Sequence, residues 1–112
     1  MAVIVHVQKP KALLAKIYKS IDDKKVLTWK YDGAKDFYHT PEQWSGEGWF
    51  RPTIAPGLLV FGLIGRKDTQ MTKMVYGAYH GRFIEMLLAH FDNEFTLACA
   101  TAQMESEIDS FK

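Results

Sequence analysis

The residues best suited to hold a ligand are Tyr79-His80-Gly81-Arg82, ahead of an apolar-periodic run. At the start of a helix, backbone N–H groups are unpaired and carry partial positive charge, so an arginine in the first turn is disfavoured by about 0.3 to 1 kcal/mol unless something compensates it. A bound anion would do so, with Gly81 admitting it close to the backbone and His80 and Arg82 donating charge-assisted hydrogen bonds. The plainer alternative pairs Arg82 with Glu85 one turn on and leaves His80 as an ordinary strand-end residue.

A second cluster lies upstream. Trp44 and Trp49 flank Ser45-Gly46-Glu47-Gly48, a large apolar load for a loop bent by two glycines. The two indoles either plug the edge of the core or line a pocket. The residues expected to surround any small anionic or aromatic ligand are therefore Trp44, Trp49, Arg51, His80, Gly81 and Arg82.

Other chemistries find less support. The four histidines, His6, His39, His80 and His90, show no recognised ligand spacing, and a single cysteine is available to help them, so neither a metal site nor a cofactor is expected. Cys99, on a strand with Phe95 and Leu97, is expected to be a buried and unreactive thiol. Asp36, Glu42 and Glu47 lie near His39 in the chain, which allows a carboxylate and histidine acid–base pair without requiring one. Gly65-Arg66-Lys67-Asp68 and Lys73 would make a basic hairpin tip beside Tyr76 and Tyr79, but Asp68 dilutes it and no RNA-recognition signature is present. Nucleic acid is disfavoured as a partner.

Composition narrows the class. The chain has 112 residues, enough for one domain with one core, and 47% of them are apolar, too many for a disordered segment. A formal charge of +1 gives no whole-molecule attraction to nucleic acid or an anionic membrane. One cysteine excludes an intrachain disulfide. The first residues lack the pattern of a signal peptide, and no apolar run reaches the roughly 18 residues that span a bilayer. A soluble, cytoplasmic protein without membrane contact is expected.

The elements that must position the candidate residues follow from pattern. Leu58 to Ile64, LLVFGLI, is short and wholly apolar, bounded by Pro-Gly and by Gly-Arg-Lys-Asp, which predicts a strand greasy on both faces. Leu58, Val60 and Ile64 would face one way, and Leu59, Phe61 and Leu63 the other. Met71 to Tyr79, aromatic and β-branched in part, is expected to return as the second strand of a hairpin. His80-Gly81 would then open a helix carrying Phe83, Ile84, Leu87, Leu88 and Phe91 on one face, stopped by a left-handed Asn93.

Upstream, Ala2 to Gln8 predicts an interior strand. Pro10 begins a helix with a stripe of Leu13, Leu14, Ile17, Tyr18 and Ile21. Val26 to Tyr31 predicts a strand, Asp36 to Thr40 a short edge strand, and Thr40-Pro41-Glu42-Gln43 one helical turn. Phe50 to Ile54 predicts a strand that Pro52 confines to an edge, followed by a type II turn at Ala55-Pro56-Gly57-Leu58. Glu94 to Thr101 is the last strand, and residues 103–112 a short terminal helix or tail.

The expected fold is a single α+β domain over residues 1–112, a mostly antiparallel sheet with two helices on one face, in the order β-α-β-(β)-β-β-β-α-β. The split β-α-β plan of ferredoxin-like domains is its nearest analogy. Two helices cover one face of such a sheet, so the other, carrying half of LLVFGLI, needs a lid, and a second copy of the chain is the expected one. The expected function is that of a small homodimeric binding or accessory domain. The alternatives are a small enzyme using His39 or His80 as an acid–base group, and an anion or nucleotide sensor at Gly81-Arg82.

Overall fold

The computed structural model describes residues 2–104, so most of the expected terminal segment at 103–112 lies outside the described residues. The elements run β1 (Ala2–His6), α1 (Pro10–Asp22), β2 (Trp29–Tyr31), β3 (Phe37–His39), β4 (Gly48–Ala55), β5 (Leu58–Gly65), α2 (Lys73–Phe91) and β6 (Leu97–Ala100). The six strands form one sheet in the order β2-β3-β4-β5-β1-β6, every neighbouring pair antiparallel. The chain is thus an α+β domain of the kind expected, compatible with a ferredoxin-like variant.

Local chemistry accounts for several boundaries. Pro10 opens α1, where its missing N–H forfeits nothing, and Lys9 provides no side-chain cap. The helix ends in a Schellman motif: Lys24 N–H donates to Ile21 O at 3.1 Å and Lys25 N–H to Ser20 O at 2.9 Å, with Lys24 left-handed at φ 60°. The β4–β5 hairpin turns through Pro56-Gly57, and Gly57 at φ 71° takes the positive angle that the type II turn demands of its third residue. Pro41 O accepts from both Trp44 N–H and Ser45 N–H at 2.9 Å, the single turn expected there.

Four expectations need correction. Met71 to Tyr79 is not a strand, because α2 begins at Lys73 and continues through it. Thr72 caps that helix, its hydroxyl accepting from Val75 N–H at 3.2 Å, and the buried Tyr79, Phe83 and Leu87 recur every fourth residue. A helix needs only one apolar stripe, so the β-formers Val75, Tyr76 and Tyr79 serve it as well as they would serve a strand. Asn93 lies beyond the helix and is not among the residues with positive φ; α2 ends at Phe91 and Glu94 N–H turns back to Phe91 O at 2.8 Å. The short strand β3 is interior, and β2 is the edge beside it. Finally, β4 lies between β3 and β5, but β3 bridges it only at Phe37 opposite Phe50, so Pro52 falls past that contact, where a missing donor is tolerated.

Alternation then sorts the side chains. Val3 and Val5 of β1, Leu59, Phe61 and Leu63 of β5, Phe50, Phe37 and Trp29 join Leu13 and Ile17 of α1 and Tyr79, Phe83 and Leu87 of α2 in one buried core. Both helices therefore cover the same face. Cross-strand register places Ile4, Val60 and Thr53 in one row on the opposite face, with His6, Leu58 and Ala55 in a second row and Trp49 opposite Ile64 beyond them. Ile4, Leu58, Val60, Ile64 and Trp49 are half-buried, and none packs against the core cluster.

Gly77 and Gly81 sit on the exposed side of α2, where an added Cβ would meet nothing within 4 Å. Glycine inside a helix costs roughly 0.5 to 1 kcal/mol relative to alanine. Gly77→Ala and Gly81→Ala should therefore each raise unfolding stability by about that amount in urea titrations. A loss at Gly81 would instead point to a turn at that position.

Candidate functional site

The six residues expected around a ligand do not converge. Trp49 and Arg51 lie two apart on β4 and share the open sheet face. His80 is buried on the core side of α2, its ring edge-on to Phe50 at 5.1 Å and its Nδ1–H donating to Tyr76 O at 2.7 Å. The sheet itself separates it from Arg51. Gly81 and Arg82 project to solvent from the middle of α2, more than two turns past its start. Their backbone N–H groups are spent inside the helix, so the anion site expected at a helix N-terminus has no geometric basis at Gly81-Arg82.

Trp44 does what the plainer alternative anticipated. It packs half-buried against the core, and its carbonyl accepts the Tyr79 hydroxyl at 2.7 Å. Burial pushes the Tyr79 phenol up to about 12, against backbone hydrogen bonds from His39 and Gly48 that favour its ionised form. One hydroxyl on α2 thus ties that helix to the turn at Trp44, beside the ends of β3 and β4.

Asp36, expected as a possible partner of His39, pairs instead with Arg51, a contact that sequence reasoning missed. Its carboxylate is 7% exposed and takes a two-pronged contact from Arg51, Nε to Oδ1 at 3.2 Å and Nη2 to Oδ2 at 2.9 Å. The Arg51 side chain is itself 60% exposed. Asp36 precedes β3 and joins β4 only through tertiary pairing, so no local spacing marks it. With Tyr38 and Lys30 opposite each other on the same face, the β2–β3–β4 end of the open face carries Trp49, Tyr38, Lys30 and the Arg51–Asp36 pair. An anionic group approaching Arg51 must compete with Asp36, whereas the ring of Trp49 is partly open to an aromatic or apolar surface.

His39 does not form the acid–base pair that its acidic neighbours in sequence suggested. It is 2% exposed, stacked on Trp29 with ring centroids 4.4 Å apart, and its Nδ1–H donates to Thr28 O at 2.8 Å. Cys99 is exposed on edge strand β6, which corrects the expectation of a buried thiol. It stands opposite Ile4 on the open face, away from both helices. Among the described residues no three of His, Cys, Asp or Glu converge as metal ligands, and no helix is long and apolar enough to cross a membrane.

Removing Arg51 leaves a buried carboxylate without its counter-charge, while removing Asp36 releases a guanidinium that is already wet. Arg51→Ala should cost about 1 to 3 kcal/mol in denaturant unfolding. Asp36→Ala should cost less, and the double variant should be more stable than Arg51→Ala alone. Additive losses would contradict the pairing. No protein-family model, no curated protein and no solved structure matches this chain.

Proposed function

We propose that this chain is a small binding or accessory domain that acts as a homodimer, two copies meeting through their open sheet faces. What supports this is the separate apolar surface of Ile4, Leu58, Val60 and Ile64, to which β6 adds Leu97 at 52% exposure. A sheet covered by helices on one face and still apolar on the other is unusual for a monomer.

Magnitudes constrain the arrangement. Six strands of three to eight residues make a face of roughly 500 Å² in projection. That is of the same order as the ~800 Å² each partner gives to a stable interface. Covering a half-exposed aliphatic side chain contributes roughly 1 kcal/mol, doubled in a twofold interface, against an association cost of about 4 to 15 kcal/mol. Most of the apolar rows must be covered for the dimer to hold. β5 is a central strand with β1 beside it, and Ile4 faces Val60 across them, so in this proposal the twofold axis passes near that pair and the Trp49–Arg51 end of β4 lies off the axis. There Trp49 and Arg51 are the ligand contacts in this proposal, for an aromatic or anionic group. The exposed, unpaired Cys99 suits the reducing conditions of a cytoplasm.

Light scattering over a dilution series should find the wild-type chain as a dimer. Val60→Glu, which brings two carboxylates together near the axis, should give a folded monomer with unchanged helical circular dichroism. A wild-type monomer throughout, or a dimer indifferent to Val60→Glu, would sink the proposal.

A further inference from the structure

We propose that His39 is an acid-sensitive latch: a proton taken up at its Nε2 loosens the β2–β3 hairpin from the rest of the sheet. The hairpin is thinly attached. β4 and β5 pair at eight successive positions, whereas β3 meets β4 at the single bridge of Phe37 and Phe50. The Arg51–Asp36 pair and the hydroxyl bonds of Tyr18 to Lys35 O and of Tyr31 to Asp22 tie its turn and outer edge, and aromatic packing holds its inner side. Trp29 stands edge-on to Tyr79 at 5.5 Å and to Phe83 at 4.9 Å, and His39 lies stacked on it at 4.4 Å.

The chemistry of His39 makes that packing depend on protonation. Thr28 O can only accept, so the neutral ring carries its proton on Nδ1 and leaves Nε2 as a bare lone pair. Among the described residues Nε2 is buried without a hydrogen-bond partner, as is Nε1 of Trp29 in the ring stacked against it. A second proton would put an unsatisfied N–H and a full charge into this site. The charged groups that act on it are Arg82 and Glu85, one turn apart on the solvent side of α2, and beside the ring stand the neutral Tyr79 ring 6.2 Å away and the Thr28 carbonyl next to β2. Burial is the largest influence and lowers the imidazole's affinity for a proton; the Thr28 carbonyl opposes it, Arg82 lowers it further and Glu85 raises it, with a net effect downward.

The sign follows by linkage. With its folded pKa depressed, docked His39 binds fewer protons than a released one. The stability it confers on docking is complete above about pH 6.5 and is lost as pH falls from there toward the depressed value. One proton changes the opening equilibrium by at most about tenfold per pH unit. The hairpin is flanked by Asp36 and carries Tyr38 and Lys30 on the open face, so acid would loosen it from the β4 segment that bears Trp49 and Arg51. The latch acts within one chain and does not rest on self-association.

Amide hydrogen exchange on the full chain, corrected for intrinsic rates, tests it between about pH 7.5 and about pH 5. Protection at residues 29–31 and 37–39 should fall several-fold to tenfold per unit below about pH 6.5, while β1 and β5 keep theirs. His39→Phe, which preserves a ring to stack on Trp29, should abolish that pH dependence. Arg82→Gln, on the exposed side of α2, should weaken it by removing the repelling charge, and serves if His39→Phe does not fold. Constant hairpin protection, an undiminished fall in His39→Phe, or an unchanged profile in Arg82→Gln would overturn the proposal.

Discussion

Everything in this fold depends on β5 being apolar on two sides while the helices occupy only one. Leu59, Phe61 and Leu63 go beneath α1 and α2, and the same strand necessarily turns Leu58, Val60 and Ile64 the other way. Antiparallel sheets tolerate this when their second face is polar. Here β1 and β5 set Ile4 opposite Val60 on the second face, so that face carries an apolar row of its own. Lys30, Arg51, Thr53 and His6 place polarity around that row.

The helix side is dominated by rings. Trp29, Phe37, Phe50, Phe61, Tyr79 and Phe83 are each fully buried, and their contacts are mostly edge-on or tilted, as the quadrupoles of aromatic rings prefer. This packing lets strands as short as β2 and β3 hold their places with few ladder hydrogen bonds. It also brings polar atoms inside. The Tyr79 hydroxyl donates to Trp44 O, whereas Nε2 of His39 and Nε1 of Trp29 have no partner among the described residues, and an unsatisfied buried group costs about 1 to 3 kcal/mol. A core with such a weakness at its least bridged edge has a natural place to open.

The same alternation explains why the expected ligand cluster does not assemble. Arg51 and Phe50 are consecutive and point to opposite faces; His80 follows Phe50 into the core, while Arg51 stays outside with Trp49. Arg82 is carried outward by the helical turn that carries Phe83 inward. Proximity in the chain, which suggested grouping His80, Gly81 and Arg82, is no guide once a helix distributes successive residues around its axis.

Much of the architecture was legible locally. Pro10 and the Leu13, Ile17 stripe marked α1, the unbroken LLVFGLI run marked β5, Pro56-Gly57 marked the hairpin turn, and the valines of β1 marked an interior strand. Each signal lies within a few residues and acts through backbone preference or side-chain period. Local preference could not decide residues 71–79, where β-branched and aromatic residues fit either element until the Thr72 cap and the place of Tyr79 in the core chose the helix. Nor could it find Asp36 beside Arg51, the exposure of Cys99 on an edge, or the burial of His39 against Trp29. Those depend on which strands pair and in what register, and that is decided by contacts between residues far apart in the chain.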